Sequence, residues 1–133
     1  MTPMTSLLLF AAWTLLIMFL AVNWRLFEIA RGVPANSWTR GNAKAAPGWV
    51  TRFEHAHANC LESLPVFAVI VLVASATDKL SVIAPYCAIV LYARLAQSIV
   101  HMISISSGMV LLRAGLFTVQ VVLFFWMFWS LLS

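Results

Sequence analysis

The chain has 133 residues, of which 63% are hydrophobic and 9% charged, and a formal net charge of +4. A mean hydropathy of +0.98 leaves too little polar surface for an ordinary water-soluble domain of this size, so the chain reads as an integral membrane protein. Nucleic-acid binding is not indicated, because the basic residues are not interleaved with aromatics on a soluble face.

The first charge is Arg25, so residues 1–24 form an uncharged stretch, and about 20 residues suffice to cross a hydrocarbon core. The stretch has no basic start and reads as a retained helix rather than a signal peptide. Next comes "EIARGVPANSWTRGNAKAAPGW", whose glycines, prolines and asparagines forbid a long regular helix and mark the one sizeable loop. Further spans are expected at Arg52–Thr77, Ser81–Ser104 and Ala114–Leu132, with no charge after Arg113. "TDKLS" and "ISSGMVLLR" are the short connections between them. The fold class expected is therefore all-α, a four-helix transmembrane bundle forming one domain over residues 1–133. Cys60 and Cys87 fall within spans and suggest packing rather than a disulfide framework. No metal site is expected.

Arg25, Arg31, Arg40, Lys44 and Arg52 flank or occupy the first connection and Arg113 the third, while the opposite side has only Lys79 beside Asp78. By the positive-inside rule the first and third connections are cytoplasmic and both termini outside.

Polar residues on the second and third spans form two stripes. Arg52, His55, Asn59 and Glu62 are spaced by three, four and three residues, so at about 100° per residue they share a helix face. His57 falls on nearly the opposite side. Pro65, one turn beyond Glu62, cannot donate to the Leu61 carbonyl and should kink or loosen the helix. On the third span Arg94, Gln97, Ser98 and His101 share a face. A mid-span arginine costs at least about 3 kcal/mol on insertion scales and needs a partner in the bundle. Glu62 is the expected carboxylate, in an antiparallel register that also brings His101 level with His55 and Arg52. Together Arg52, His55, Gln97, His101 and Arg113 gather more positive charge than the nearby acids neutralise, which suits a bound anion.

"HAHANCLESLPVF", followed by an arginine within the third span and another near the fourth, resembles the MAPEG family, the membrane-associated proteins in eicosanoid and glutathione metabolism, in its bacterial-type members. The similarity covers nearly the whole chain and centres on an A-x-x-N-x-x-E-x-x-P core formed by Ala56, Asn59, Glu62 and Pro65. It implies a homotrimer with glutathione as co-substrate, bound between subunits in the cytoplasmic half of the membrane, and an inner-membrane location. The resemblance makes Asn59 and Glu62 part of the glutathione signature, with Arg94 as their buried partner. Arg113 stands where the family has an arginine near the thiol, here 19 residues after Arg94, a longer spacing than in the best-known members. Arg52, His55, Gln97 and His101 complete the expected ligand-binding set. His55 stands where many relatives have arginine, a charge Arg52 can supply, and His101 where relatives often have tyrosine.

The chemistry implied is conjugation or reduction of a lipophilic electrophile or lipid hydroperoxide, with Arg113 as the catalytic candidate because a guanidinium favours the thiolate form of a thiol. Two other readings stay open. A noncatalytic member would use the crevice to hold a lipid or glutathione, and a small multidrug exporter would exchange protons at Glu62.

Overall fold

Four long helices, α1 (Pro3–Ala30), α2 (Gly48–Ala76), α3 (Leu80–Ile103) and α4 (Ser107–Leu132), make up the chain, with a short 3-10 helix at Ala35–Trp38. This is a computed structural model, and it describes residues 1–38 and 47–133. Arg40 and Lys44, read above as topological charges, lie outside the described residues. Each of the four helices is long and apolar enough to cross a membrane, as the apolar stretches imply.

Local chemistry sets the helix ends. α1 opens on Thr2, whose hydroxyl accepts from the Thr5 N–H at 3.1 Å, with Pro3 in the first turn where its missing N–H costs nothing. It closes at Gly32, φ +101°, with the Val33 N–H donating back to the Glu28 carbonyl at 3.1 Å. Glycine is needed there because this left-handed turn crowds any Cβ. α2 runs unbroken through Pro65, so the proline withholds one donor from Leu61 without ending the helix. Between α2 and α3, Asp78 takes φ +55° and Lys79 donates its backbone N–H to Ala74 at 2.8 Å. The Lys79 ammonium donates to the Leu131 carbonyl at 3.1 Å, placing a cation at the C-terminal end of α4.

One boundary differs from expectation in a way that matters for function. The segment "ISSGMVLLR" is not a connection: α3 ends at Ile103 and α4 begins at Ser107. An apolar-window argument locates the membrane-buried part of a helix, whereas the helix itself continues into the interface wherever no residue breaks it. Arg113 is consequently fixed in the second turn of α4.

α2 and α3 form the centre. α1 contributes a narrow stripe, Ser6, Phe10, Thr14, Ile17 and Ala21, at heptad-like spacing. Small residues, Ala56, Cys60 and Ser63 on α2 facing Ser98 on α3, let those helices approach closely. α4 is the outlier: only Gln120, Phe124 and Met127 are buried. Phe67 sits at the middle of the core, its ring 5.8 Å from Phe10 and 6.1 Å from Phe124 by centroids. The outer surfaces are almost wholly apolar, as they must be against hydrocarbon.

Because lipid tails are as apolar as the core, packing rather than transfer from water holds such a bundle together. Phe67→Ala should therefore destabilise the protein by about 2–4 kcal/mol, at or below the range for the same change in soluble cores. Reversible unfolding in micelles checks this; a loss under about 1 kcal/mol would mean the three-ring cluster does not organise the core.

Candidate functional site

The polar residues of α2 and α3 meet in an antiparallel ladder. Arg94 sits deepest, 1% exposed, with Nη1 donating to the Asn59 carbonyl at 3.1 Å and Nη2 donating to the Ser63 hydroxyl. Its guanidinium carbon lies 5.6 Å from the centre of the Phe10 ring, within cation–π range. One step further, Cys60 Sγ and Ser98 Oγ are 3.4 Å apart, and Ser98 Oγ donates to the Arg94 carbonyl at 2.8 Å. Next, Asn59 Nδ2 meets His101 Nδ1 at 3.0 Å. The His55 and His101 rings are 6.1 Å apart by centroids, which is the level the antiparallel register implies. At the rim, Arg52 Nε donates to the Met102 carbonyl at 2.8 Å, satisfying an orphan acceptor in the last turn of α3.

Beside this ladder, α2, α3 and α4 border an open crevice of about 330 Å³ lined by Asn59, Glu62, Gln97, Val110, Arg113, Ala114 and Phe117. One side is an exposed apolar wall, Val110, Ala114 and Phe117. The polar side contrasts an uncovered carboxylate, Glu62, with the Arg113 guanidinium, whose Nε is buried without a partner. Neither residue forms an ion pair or side-chain hydrogen bond among the described residues. The arrangement offers two amides, one cation and one anion to a polar ligand, next to an apolar surface for a lipophilic one.

The eight residues singled out from sequence thus separate by position. Asn59, Glu62, Gln97 and Arg113 converge on the crevice. Arg52, His55 and His101 do not line it: His101 meets the crevice residue Asn59 and the His55 ring, and Arg52 reaches the Met102 carbonyl. Arg94 stands behind the wall and does not line it.

The expected Glu62–Arg94 ion pair is corrected: no such pair occurs among the described residues, and Arg94 is bound by α2 backbone and Ser63 instead. The reason is angular. The face α2 turns to α3 is Ala56, Cys60 and Ser63; Glu62 is one residue, about 100°, away from Ser63 and points out toward the crevice. His57, on the far side of α2, reaches α1: its Nδ1 lies 3.0 Å from the Thr14 carbonyl. On that same side Arg25 donates to Glu54 in an ion pair that ties α1 to α2.

Sequence reasoning missed Gln120. It is fully buried, donating from Nε2 to Gln97 Oε1 at 3.0 Å and to the Leu116 carbonyl at 3.0 Å. The signal was present: a single carboxamide in an otherwise apolar span must find a partner.

A family model described as MAPEG family matches residues 4–133. Searches among curated proteins and among solved structures gave no match.

A double-mutant cycle tests the revised partner of Arg94. Arg94→Met and Ser63→Ala should couple by about 0.5–3 kcal/mol in unfolding free energy, as residues in direct contact do. Arg94→Met with Glu62→Gln should be closer to additive, and Glu62→Gln alone should cost under about 1 kcal/mol because its carboxylate has no hydrogen-bond or ion-pair partner within the subunit to lose. Coupling concentrated on Glu62 instead would restore the direct ion pair.

Proposed function

The chain belongs to the MAPEG family, and on that premise we propose that it is a membrane glutathione transferase or peroxidase acting on lipophilic electrophiles at crevices between subunits of a homotrimer. The observation that carries the reading is the unpartnered Arg113 guanidinium, sharing one crevice with Asn59, Gln97 and an uncovered Glu62. That donor set is complementary to glutathione, which has two carboxylates, one ammonium and one thiol. Arg113 and the two amides can donate to carboxylate or thiolate, and Glu62 can accept from the ammonium.

Glutathione supplies the nucleophilic sulfur; the protein's part is to hold it and keep it ionised. Arg113 is the group for that, because a guanidinium beside a thiol favours the charged form. Asn59, braced by His101 and by its own carbonyl against Arg94, gives a fixed donor. The apolar wall of Val110, Ala114 and Phe117 offers a surface to a lipophilic electrophile or lipid hydroperoxide arriving from the bilayer.

Two features support closure of the crevice by another subunit, which the trimer would supply. At about 330 Å³ the crevice is near the lower bound of small-molecule sites, about 300–1,000 Å³. An uncovered glutamate on a membrane-length helix is costly unless a neighbour or ligand encloses it. A second subunit closing over α4 answers both. Arg25, Arg31, Arg52 and Arg113 all fall at the α1–α2 and α3–α4 ends of the bundle, which supports cytoplasmic first and third connections, outside termini and an inner-membrane location. One observation favours a noncatalytic member that only holds its ligand: Arg52 and His101 are already engaged by protein partners.

Reduced glutathione on the purified protein should show the ultraviolet band of a thiolate at neutral pH, where the free thiol, with a pKa of about 8.5, is mostly protonated. Arg113→Leu should abolish that band and the turnover of chlorodinitrobenzene while retaining binding within about tenfold, one lost contact among several. Binding without thiolate would establish the noncatalytic reading, and a folded protein that binds no glutathione would overturn the proposal. Native mass spectrometry from detergent should give a trimer; monomer or dimer as the only species would remove the intersubunit site.

A further inference from the structure

Gln120 is fully buried in α4 and opposite the crevice-lining Gln97. The polarity of the pair is determined by a third group. The Leu116 carbonyl can only accept, and it lies 3.0 Å from one terminal atom of Gln120, so that atom is the NH2 nitrogen. The same nitrogen lies 3.0 Å from Gln97, so the Gln97 atom facing it is the carbonyl oxygen. Gln120 thereby uses both of its amide hydrogens, and its own Oε1 is left buried without a partner. Flipping the Gln120 amide gives no relief, because Oε1 would then face the Leu116 carbonyl, acceptor against acceptor.

We infer that Gln120 is a positioning residue: it holds the Gln97 carbonyl inward and so turns the Gln97 NH2 group toward the crevice as a fixed donor for a ligand carboxylate or carbonyl oxygen. The Gln97 nitrogen donates to no described residue and is not among the atoms sealed off without a partner, while Gln97 itself lines the crevice beside Arg113. An unconstrained carboxamide would present oxygen or nitrogen to a ligand equally well. A pinned one presents only N–H, adding a second donor to the guanidinium and disfavouring groups that need an acceptor there. The stranded Oε1 lowers stability for no packing benefit. It fits a residue retained to orient its neighbour. Glutathione as the ligand rests on the function proposed above, whereas the orientation of Gln97 does not.

Gln97 and Gln120 are the only glutamines in the sequence, so the full-length protein labelled with side-chain amide 15N glutamine gives two NH2 pairs, assigned by Gln97→Met. The Gln120 pair should be protected from exchange with water, and the Gln97 pair should exchange and shift when reduced glutathione is added. A Gln97 pair as protected as that of Gln120, and unmoved by bound glutathione, would overturn the inference. In a second arm, Gln120→Met should weaken glutathione binding by about 2-fold, if the freed Gln97 amide presents N–H half the time, up to about 10-fold, if the hydrogen bond is lost outright, in a protein that still folds. In the Gln97→Met background the same change should have no further effect on affinity, because Gln120 acts only through Gln97. A further loss of several-fold in that background would sink it. If the wild-type protein binds no glutathione, the proposed function fails, and the exchange contrast between the two NH2 pairs still decides the orientation. That contrast needs no variant of Gln120, so it holds even if Gln120→Met does not fold.

Discussion

The bundle depends on how it accommodates Arg94. A guanidinium with 1% exposure in the middle of a membrane-length helix is tolerable only if its hydrogens and charge are met inside the protein. Here α2 supplies a backbone carbonyl and a serine hydroxyl, and α1 supplies the face of Phe10. Three helices are thereby fixed to one centre. The register of α2 against α3 follows from it, since Cys60 with Ser98, Asn59 with His101 and Arg52 with Met102 are successive steps of the same antiparallel ladder. Sliding either helix by one turn would strand the cation and break every step together.

Backbone and serine take the two terminal nitrogens of Arg94 while its Nε stays buried without a partner, and Glu62 makes no direct bond to it. α2 is a helix with its sides used differently: Glu54 and His57 hold α1, Cys60 and Ser63 hold α3, and Asn59 with Glu62 looks into the crevice. Asn59 joins two of these tasks, since its carbonyl receives Arg94 and its side chain meets His101 while lining the crevice. The ladder that stabilises the bundle therefore also sets the position of a crevice donor. Substitutions at Arg94 are transmitted to the site through Asn59 even though Arg94 does not line it.

Much of this was legible in the sequence. Apolar runs of membrane length fix four helices, because a helix satisfies its own backbone within one segment in lipid. Helical periodicity brought Arg52, His55, Asn59 and Glu62 to one side, and the costs of intramembrane charge pointed to an antiparallel match with Arg94 and His101. What periodicity could not resolve was an angle of one residue. Glu62 and Ser63 both sit one turn from Asn59, and a charge-pairing argument prefers the carboxylate, whereas close packing of small residues turns the serine inward. Nor could an apolar window show that α4 starts at Ser107, since an interfacial turn need not be apolar. Gln120 escaped notice because it carries no charge and belongs to no stripe.

The least constrained part of the site is the first half of α4. Its polar anchors among the described residues lie at Gln120, joined to Gln97, and at Leu131, capped by Lys79. Toward Ser107 the helix buries no side chain before Gln120, so the Arg113 end is held mainly by its continuity with those anchors and by the short Ser104–Ser106 connection, where the Ser106 N–H donates to Ser104 Oγ at 3.2 Å. A helix is stiff along its axis but can pivot where packing is thin. Gln120 lies seven residues, about 10 Å, beyond Arg113, so a small rotation about it moves the guanidinium by more than it moves Gln97. The crevice thus combines donors held by the buried α2–α3 ladder with a cation carried on the thinly packed first half of α4.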